Sequence, residues 1–296
     1  MNAPSAVVIP STGRPEILRG TIESLLEQSE PPGEIVVSVI SAHDFPQDAA
    51  FPASVRWIAG RPGAAAQRNS GAEALTCRPR LIGFLDDDMV LHRDYLRCMR
   101  ELFEAQPAAV LAMGHLLANG GISLEAARRL CASPPDLGAD AGRSSPNRDP
   151  WGGAYGCNLA VRATLLAQVR FDERLPLYSE MEDVDFGCQA RRHGEVWYHY
   201  GCMAVHLRVA SGRLSYRRHG FSQIMNAVYL GRKGSIPMGH AVRHFMLRRP
   251  LQNLLLALLP SQRTRRLGLF RGNLDALSLI ARGRIEPERI LEIPDR

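Results

Sequence analysis

The sequence predicts an α/β protein with a mostly parallel central sheet flanked by helices. Three observations carry that prediction. Short β-branched runs alternate with stretches of helical periodicity through the first half of the chain. One run, Leu81-Ile82-Gly83-Phe84-Leu85, is apolar throughout, as a strand buried on both faces must be. It ends abruptly in Asp86-Asp87-Asp88, where an open α/β sheet forms its ligand crevice.

The elements follow in order. Ala6-Val7-Val8-Ile9 reads as a strand stopped by Pro10, and Ser11-Thr12-Gly13-Arg14-Pro15 as a polar loop. Apolar residues at helical spacing (Ile17, Leu18, Ile22, Leu25, Leu26) predict a helix over 16–28. Strands are expected at 34–40 and 55–58, and a helix from Gly63 to about Leu75 precedes the acid-terminated strand. Beyond it come a helix at 95–104 and an apolar strand at 109–117. Residues 119–150 are rich in Gly, Pro, Ser and Asp, with a helical piece at 124–131. That composition predicts a mobile binding lid. Strand signals return at 159 onward, at 195–200 and at 202–206. From Gly212 the chain is helical: 214–230, 238–259 and 267–282.

Bulk properties narrow the function. At 296 residues, 45% hydrophobic and 22% charged, the chain is an ordinary globular protein rather than a disordered one. It is long enough for a domain of about 200 residues plus an appendage. The boundary is expected at 210, giving domains 1–210 and 211–296. The net charge of +6 is unevenly placed. The last third is strongly basic and the first two-thirds net acidic, which points to an anionic partner of the tail. No zinc spacing or nucleic-acid-binding signature is present, so no nucleic-acid partner is expected. Six scattered cysteines form no disulfide framework and suggest reduced thiols in a cytoplasmic protein. The start, MNAPSAVVIP, lacks the charged and apolar regions of a signal peptide. The longest late apolar stretch, Leu254–Leu259, is far short of the ~20 residues of a membrane span. The protein is therefore expected to be soluble, or peripheral on the cytoplasmic membrane face.

Two absences restrict the crevice chemistry. No G-x-x-x-x-G-K-[ST] run occurs, and no G-x-G-x-x-G follows the first strand. A mononucleotide site organised by carboxylates and a cation remains. Adjacent acids raise one another's pKa unless a cation or solvent relieves them. Mg²⁺-like ions are held by one or two carboxylates plus a substrate's phosphates. On spacing alone, Asp86–Asp88 is either such a site or a solvated acidic loop. A second cluster, Glu182-Asp183-Val184-Asp185, opens an amphipathic stretch. Acids in a helix's first turn gain ~0.3–1 kcal/mol each from the macrodipole, which would account for them without any chemistry.

Five pieces occur in one order: Pro10 before Thr12-Gly13-Arg14, Gln67-Arg68-Asn69-x-Gly71, Phe84-Leu85-Asp86-Asp87-Asp88, Gly156-x-Asn158 and Glu182-Asp183-x-Asp185. Over about residues 5–210 this resembles a family-2 glycosyltransferase of the GT-A fold, whose sheet has a Rossmann-like nucleotide-binding half. The resemblance implies inverting transfer of a sugar from a nucleotide-diphosphate sugar to an acceptor hydroxyl, with Mn²⁺ or Mg²⁺ as cofactor. It places Pro10, Thr12, Arg14, Arg68, Asp86 and Asp87 at the nucleotide or its diphosphate. Arg213 would close on the diphosphate after donor binding. Asp88, the D-x-D ligand, would share the metal with Asp86. Asp183 would be the general base, with Glu182 assisting and Asp185 orienting. His206, following Ala204-Val205, is either a third metal ligand or a core histidine. Gly153, Gly156 and Asn158 would approach donor sugar or acceptor. Trp151 and Tyr155 would stack on a sugar or pack in the core. The chain departs from the family pattern at the end of its second strand, where Ser38, Ser41 or Asp44 stands in for an acid that meets the base or ribose.

Past residue 210 the resemblance fades. Leucines mixed with arginines over 246–256 fit an interfacial helix at an anionic membrane, or a helix packed on the catalytic domain. The acceptor would be a saccharide or a lipid-linked one, in polysaccharide, glycolipid or glycoconjugate synthesis of the cell envelope. Two other functions are open: a sugar-nucleotide nucleotidyltransferase, and a non-catalytic sugar- or membrane-binding module.

Overall fold

β1 (Ser5–Ser11) is completely buried and lies between two parallel neighbours, which is why its residues are apolar on both faces. The computed structural model describes residues 5–138, 142–148, 154–209 and 214–294. After β1 come α1 (Pro15–Leu26), β2 (Glu34–Val39), β3 (Val55–Ala59), α2 (Ala64–Glu73) and β4 (Leu81–Leu85). β5 (Met89–Leu91), α3 (Tyr95–Ala105), β6 (Ala109–Asn119), α4 (Leu124–Ala132), β7 (Ser144–Pro146) and β8 (Asn158–Arg162) follow. Then come α5 (Glu182–Ala190), β9 (Glu195–His206), α6 (Tyr216–Lys233) and a short α7 (Met238–His240). A π-helical stretch over Ala241–Arg248 leads into α8 (Arg249–Leu256), and α9 is Arg263–Ala281.

The sheet order is β3-β2-β1-β4-β8-β6-β9-β5, with β7 paired to β9. The β3-β2-β1-β4 half is wholly parallel, as the alternation predicted. The other half is mixed: β8 runs antiparallel to both β4 and β6, while β6 and β9 are parallel. Side chains alternate across β1. Val7 and Ile9 enter a core with Leu18, Ile22 and Leu25 of α1 and Met99 of α3. Val8 joins Phe84, Phe171 and Phe186 on the other face. Gly71 of α2 lies against Val8 so closely that a Cβ there would overlap it.

One expectation changes. The strand signals at 195–200 and 202–206 belong to one strand, β9, which tracks β6 through register shifts. The segment 119–150 has its helical piece where expected, as α4, and adds β7; residues 139–141 and 149–150 lie outside the described set. The C-terminal helices form their own core from Phe221, Ile224, Met225, Ala276 and Ile290. They are fastened to the loop before α5. Asn226 donates to the Glu180 carbonyl at 2.8 Å, and Lys233 bonds Asp172 at 2.6 Å and the fully buried Asp185 at 2.7 Å.

Candidate active site

The carboxyl ends of β1, β2 and β4 and the start of α5 surround a cleft of about 520 Å³, within the ordinary range for ligand pockets. Arg68, from α2, is its keystone. It is 2% exposed, which rules out a helix-surface role. One Nη bonds Asp86 at 2.8 Å and the Gly156 carbonyl at 3.1 Å; the other bonds Glu182 at 2.5 Å. The guanidinium thus ties the end of β4 to the first turn of α5.

The three acids of the Asp86–Asp88 run divide. Asp86 and Asp88 converge with His206, each offering one ligand atom within 4.8 Å of the others. His206 Nε2 is 3.1 Å from Asp88 and 3.8 Å from Asp86. The convergence follows from strand pairing. Met89, next after Asp88, sits opposite His206 in the β5–β9 register, and Leu207 N donates to the Asp88 carbonyl at 3.0 Å. His206 Nδ1 lies 3.0 Å from Asn119 Oδ1, an acceptor that would keep the proton on Nδ1 when a cation takes Nε2. Two carboxylate oxygens and an imidazole lone pair aimed at one point are the donor set a borderline divalent cation takes. Burial works against the Asp88 charge, yet His206 and the Val209 amide hold its carboxyl below the usual range.

Asp87, expected at the nucleotide, borders the cleft, but its carboxylate is fully buried. It accepts from Ser11 Oγ at 2.6 Å and from Arg14 at 2.5 and 3.2 Å. Burial pushes it up to about 7, against the pull of Arg14 and Ser11. Its action on the cleft is to aim Arg14. Asn158 is a correction. It is the first residue of β8, and it is buried under the site, where its Oδ1 accepts from Tyr95 Oη and from the Gly114 amide. It supports the sheet and does not face a sugar.

The second acidic cluster faces the same cleft. Asp183 Oδ2 accepts from the Gly156 amide at 2.9 Å and Oδ1 from its neighbour's amide, Val184, at 2.8 Å. Burial raises the Asp183 carboxyl, with those two amides and Arg68 pulling back. Burial and then the charge of Asp183 push Glu182 up to about 8, with Arg68 opposing. Gly156 is needed here, because a Cβ would press on Glu182, Asp183 and Arg68 at 3.1–3.3 Å. Asp185 points elsewhere, into the Lys233 and Ser235 contacts.

Pro10 and Thr12 line the cleft wall. Of the stand-ins at the end of the second strand, Ser38 is buried and Asp44 accepts from the Gly13 and Ser41 amides, so it fixes the loop that carries Thr12. Trp151, Gly153 and Arg213 lie outside the described residues. Tyr155 borders the cleft and receives a 3.0 Å bond from Asn119 Nδ2.

Sequence reasoning gave no role to three contributors, although it quoted Gln67 within a family piece. Gln67 donates to the Ser11 and Ser38 carbonyls at 2.9 and 2.6 Å, clamping the ends of β1 and β2. Asn119 orients His206. The loop Leu177–Met181 has three non-glycine residues at positive φ (Leu177, Ser179 and Met181), and it presents the exposed Tyr178 to the cleft. Such strain concentrates at functional sites, but it leaves no mark in a sequence.

With this geometry in place, comparison with known proteins settles the family. Residues 3–221 match the family model described as "Glycosyltransferase like family 2". The chain is a family 2 glycosyltransferase. A search of curated protein sequences gives no match. Among solved structures, this glycosyltransferase is similar to residues 1–349 of TarS from S. aureus in complex with UDP-GlcNAc. That match has 12% identity and TM-score 0.56, and covers 99% of this chain and 91% of that one. It is also similar to the mannosyltransferase PcManGT from Pyrobaculum calidifontis, in complex with GDP-Man and Mn²⁺. There the identity is 14% and the TM-score 0.55, covering 94% of this chain and 88% of that one. GalNAc-T7 with UDP, GalNAc and Mn²⁺ matches at 14% identity and TM-score 0.51, covering 71% of this chain and 44% of that one. The shared architecture is the GT-A fold.

Proposed function

We propose that this glycosyltransferase moves a sugar from a nucleoside-diphosphate sugar to an acceptor hydroxyl with inversion at the anomeric carbon. The acceptor is taken to be a saccharide or a lipid-linked saccharide. One observation carries the reading. Asp86 and His206, which converge with Asp88, line the same cleft as the half-buried acid Asp183, and Arg68 bonds both Asp86 and Glu182, the neighbour of Asp183.

Asp86, Asp88 and His206 would hold a divalent cation, Mn²⁺ or Mg²⁺, which when bound offsets the negative charge on a diphosphate leaving group. Arg68 holds Asp86 in place and keeps Glu182 beside Asp183. Asp183, fixed by the Gly156 amide, accepts the acceptor hydroxyl's proton; a single base acting opposite the leaving group gives inversion. Its raised pKa makes it a stronger base than a solvated aspartate. Arg14, aimed by Asp87, adds positive charge to the nucleotide wall. In the same reading residues 1–210 form the catalytic domain and 211–296 a helical extension docked on it.

The family match weighs against a nucleotidyltransferase, and the presence of both acid sets weighs against a binding module. Purified protein is incubated with nucleoside-diphosphate sugars and Mn²⁺ or EDTA, and nucleoside diphosphate release is followed. Metal-dependent release of the diphosphate is expected, lost in Asp183→Asn with donor binding kept. Pyrophosphate formation from a nucleoside triphosphate would overturn the reading, as would transfer at an unchanged rate in Asp183→Asn.

A further inference from the structure

The segment from Ala241 to Leu259 is folded with its leucines outward. Pro250, Asn253 and Ala257 point into the protein, and Asn253 locks that register. Its Nδ2 donates to Asn273 Oδ1 of α9 at 2.9 Å, its Oδ1 accepts from Arg266 at 3.0 Å, and Asn273 in turn donates to the Gly220 carbonyl at 2.7 Å. The opposite face carries Leu251, Leu254 and Leu255 of α8, with Leu247 in the π-helical stretch before it and Leu258 in the turn after it. Leu247 is 65% exposed and Leu258 79%. Burial of these leucines would have been the easy outcome of folding. A polar anchor instead holds the helix with its apolar side in solvent, and a contiguous apolar surface of this kind marks an interaction site.

The charge around it names the partner. No Asp or Glu occurs between Glu195 and Asp275, whereas Arg243, Arg248, Arg249, Arg263 and Arg265 are exposed there. Among the described residues, the ion pairs of the tail are made by other arginines, such as Arg217 with Asp275 and Arg289 with Glu286. A second copy of the chain would bring like charge onto like charge. No described helix is long and apolar enough to cross a membrane. An apolar stripe with exposed arginines and no acid in its stretch of chain matches an anionic lipid surface, with leucines in the acyl boundary and guanidiniums on headgroup phosphates.

We propose that the Leu247–Leu258 face docks this enzyme onto an anionic phospholipid bilayer, as an in-plane helix. The test uses the full chain with no nucleotide sugar or metal, so its failure and that of the transfer reading are distinguishable. Flotation is compared on vesicles of phosphatidylcholine alone and of equal parts phosphatidylcholine and phosphatidylglycerol. The expected result is at least about tenfold stronger partitioning to the anionic vesicles. It should weaken with salt, and fall about tenfold or more in Leu251→Gln/Leu255→Gln/Leu258→Gln with the melting temperature kept. In the unaltered chain, anionic vesicles should also slow amide exchange over 247–259, a readout that needs no variant. Three results would overturn the proposal: no flotation on anionic vesicles at physiological salt, flotation unchanged in the leucine variant, or a dimer in sedimentation that the same substitutions abolish.

Discussion

Arg68 is surrounded by carboxylates, and its two Nη groups decide where two of them stand. Because the fork is rigid and bidentate, Arg68→Lys cannot reach Asp86 and Glu182 together. That conservative change should lower transfer by at least about tenfold, measured as kcat/KM against donor. His206→Ala and Asn119→Ala test the cation set. The first removes a ligand and the second only its orienting partner, so Mn²⁺ affinity by titration calorimetry should fall about 10–100-fold for Asn119→Ala and further for His206→Ala. Burial raises the Asp183 carboxyl, and a base works only when ionised. The rate should therefore climb with pH along an acid limb lying above the ordinary aspartate range of about 3.9. A flat profile down to that range would remove Asp183 as the base. Asp86, Asp88 and Asp183 stood out in the sequence through the order of the five family pieces, since spacing alone left room for a solvated loop or a helix's first turn. The sequence did not announce which way each pointed. Asp87 stands between two convergent acids and turns back to Arg14, and Asn158 faces Tyr95 and not the cleft. Asn119 was invisible because a lone amide carries no pattern.

At the scale of elements, the candidate cation set depends on β5. Those three residues are too few for any periodicity to register, yet their pairing with β9 brings His206 to Asp88. β9 reads as two strands for a different reason: its path beside β6 shifts register at Gly114/His115. Gly114 itself sits where a Cβ would overlap the Cys202 carbonyl and Tyr95. Between α6 and α9 the approach is closer still, since a Cβ on Gly272 would overlap the Arg217 carbonyl. Gly272→Ala should cost about 1–3 kcal/mol, seen as a lower midpoint in denaturant. The buried Asp185 relies on Lys233, at 2.7 Å, together with Gln189 and Ser235. Removing one partner of a buried pair strands the other charge. Lys233→Met should therefore destabilise by about 3 kcal/mol, whereas Lys233→Met with Asp185→Leu should recover much of that loss.

For the whole molecule, the parallel half of the sheet was legible in alternating patterns, and the antiparallel half was not. Strand direction there is set by long connections that composition does not describe. If donor binding closes on a site shared by Asp88 and Arg68, the entire fold should respond. Nucleoside diphosphate with Mn²⁺ at about a hundred times its Kd stabilises by about 2.7 kcal/mol. For a chain of this size that is several degrees in melting temperature. The shift should vanish in Asp88→Ala; its persistence would place the cation elsewhere.

Lys233 is the chain's only lysine. An acylating reagent thus has a single side-chain amine to find, and that amine is held between Asp172 and Asp185 at the junction of the helical tail with the rest. Its rate of modification in the native protein reports how often that ion pair opens, read from one peptide mass and without any engineered label.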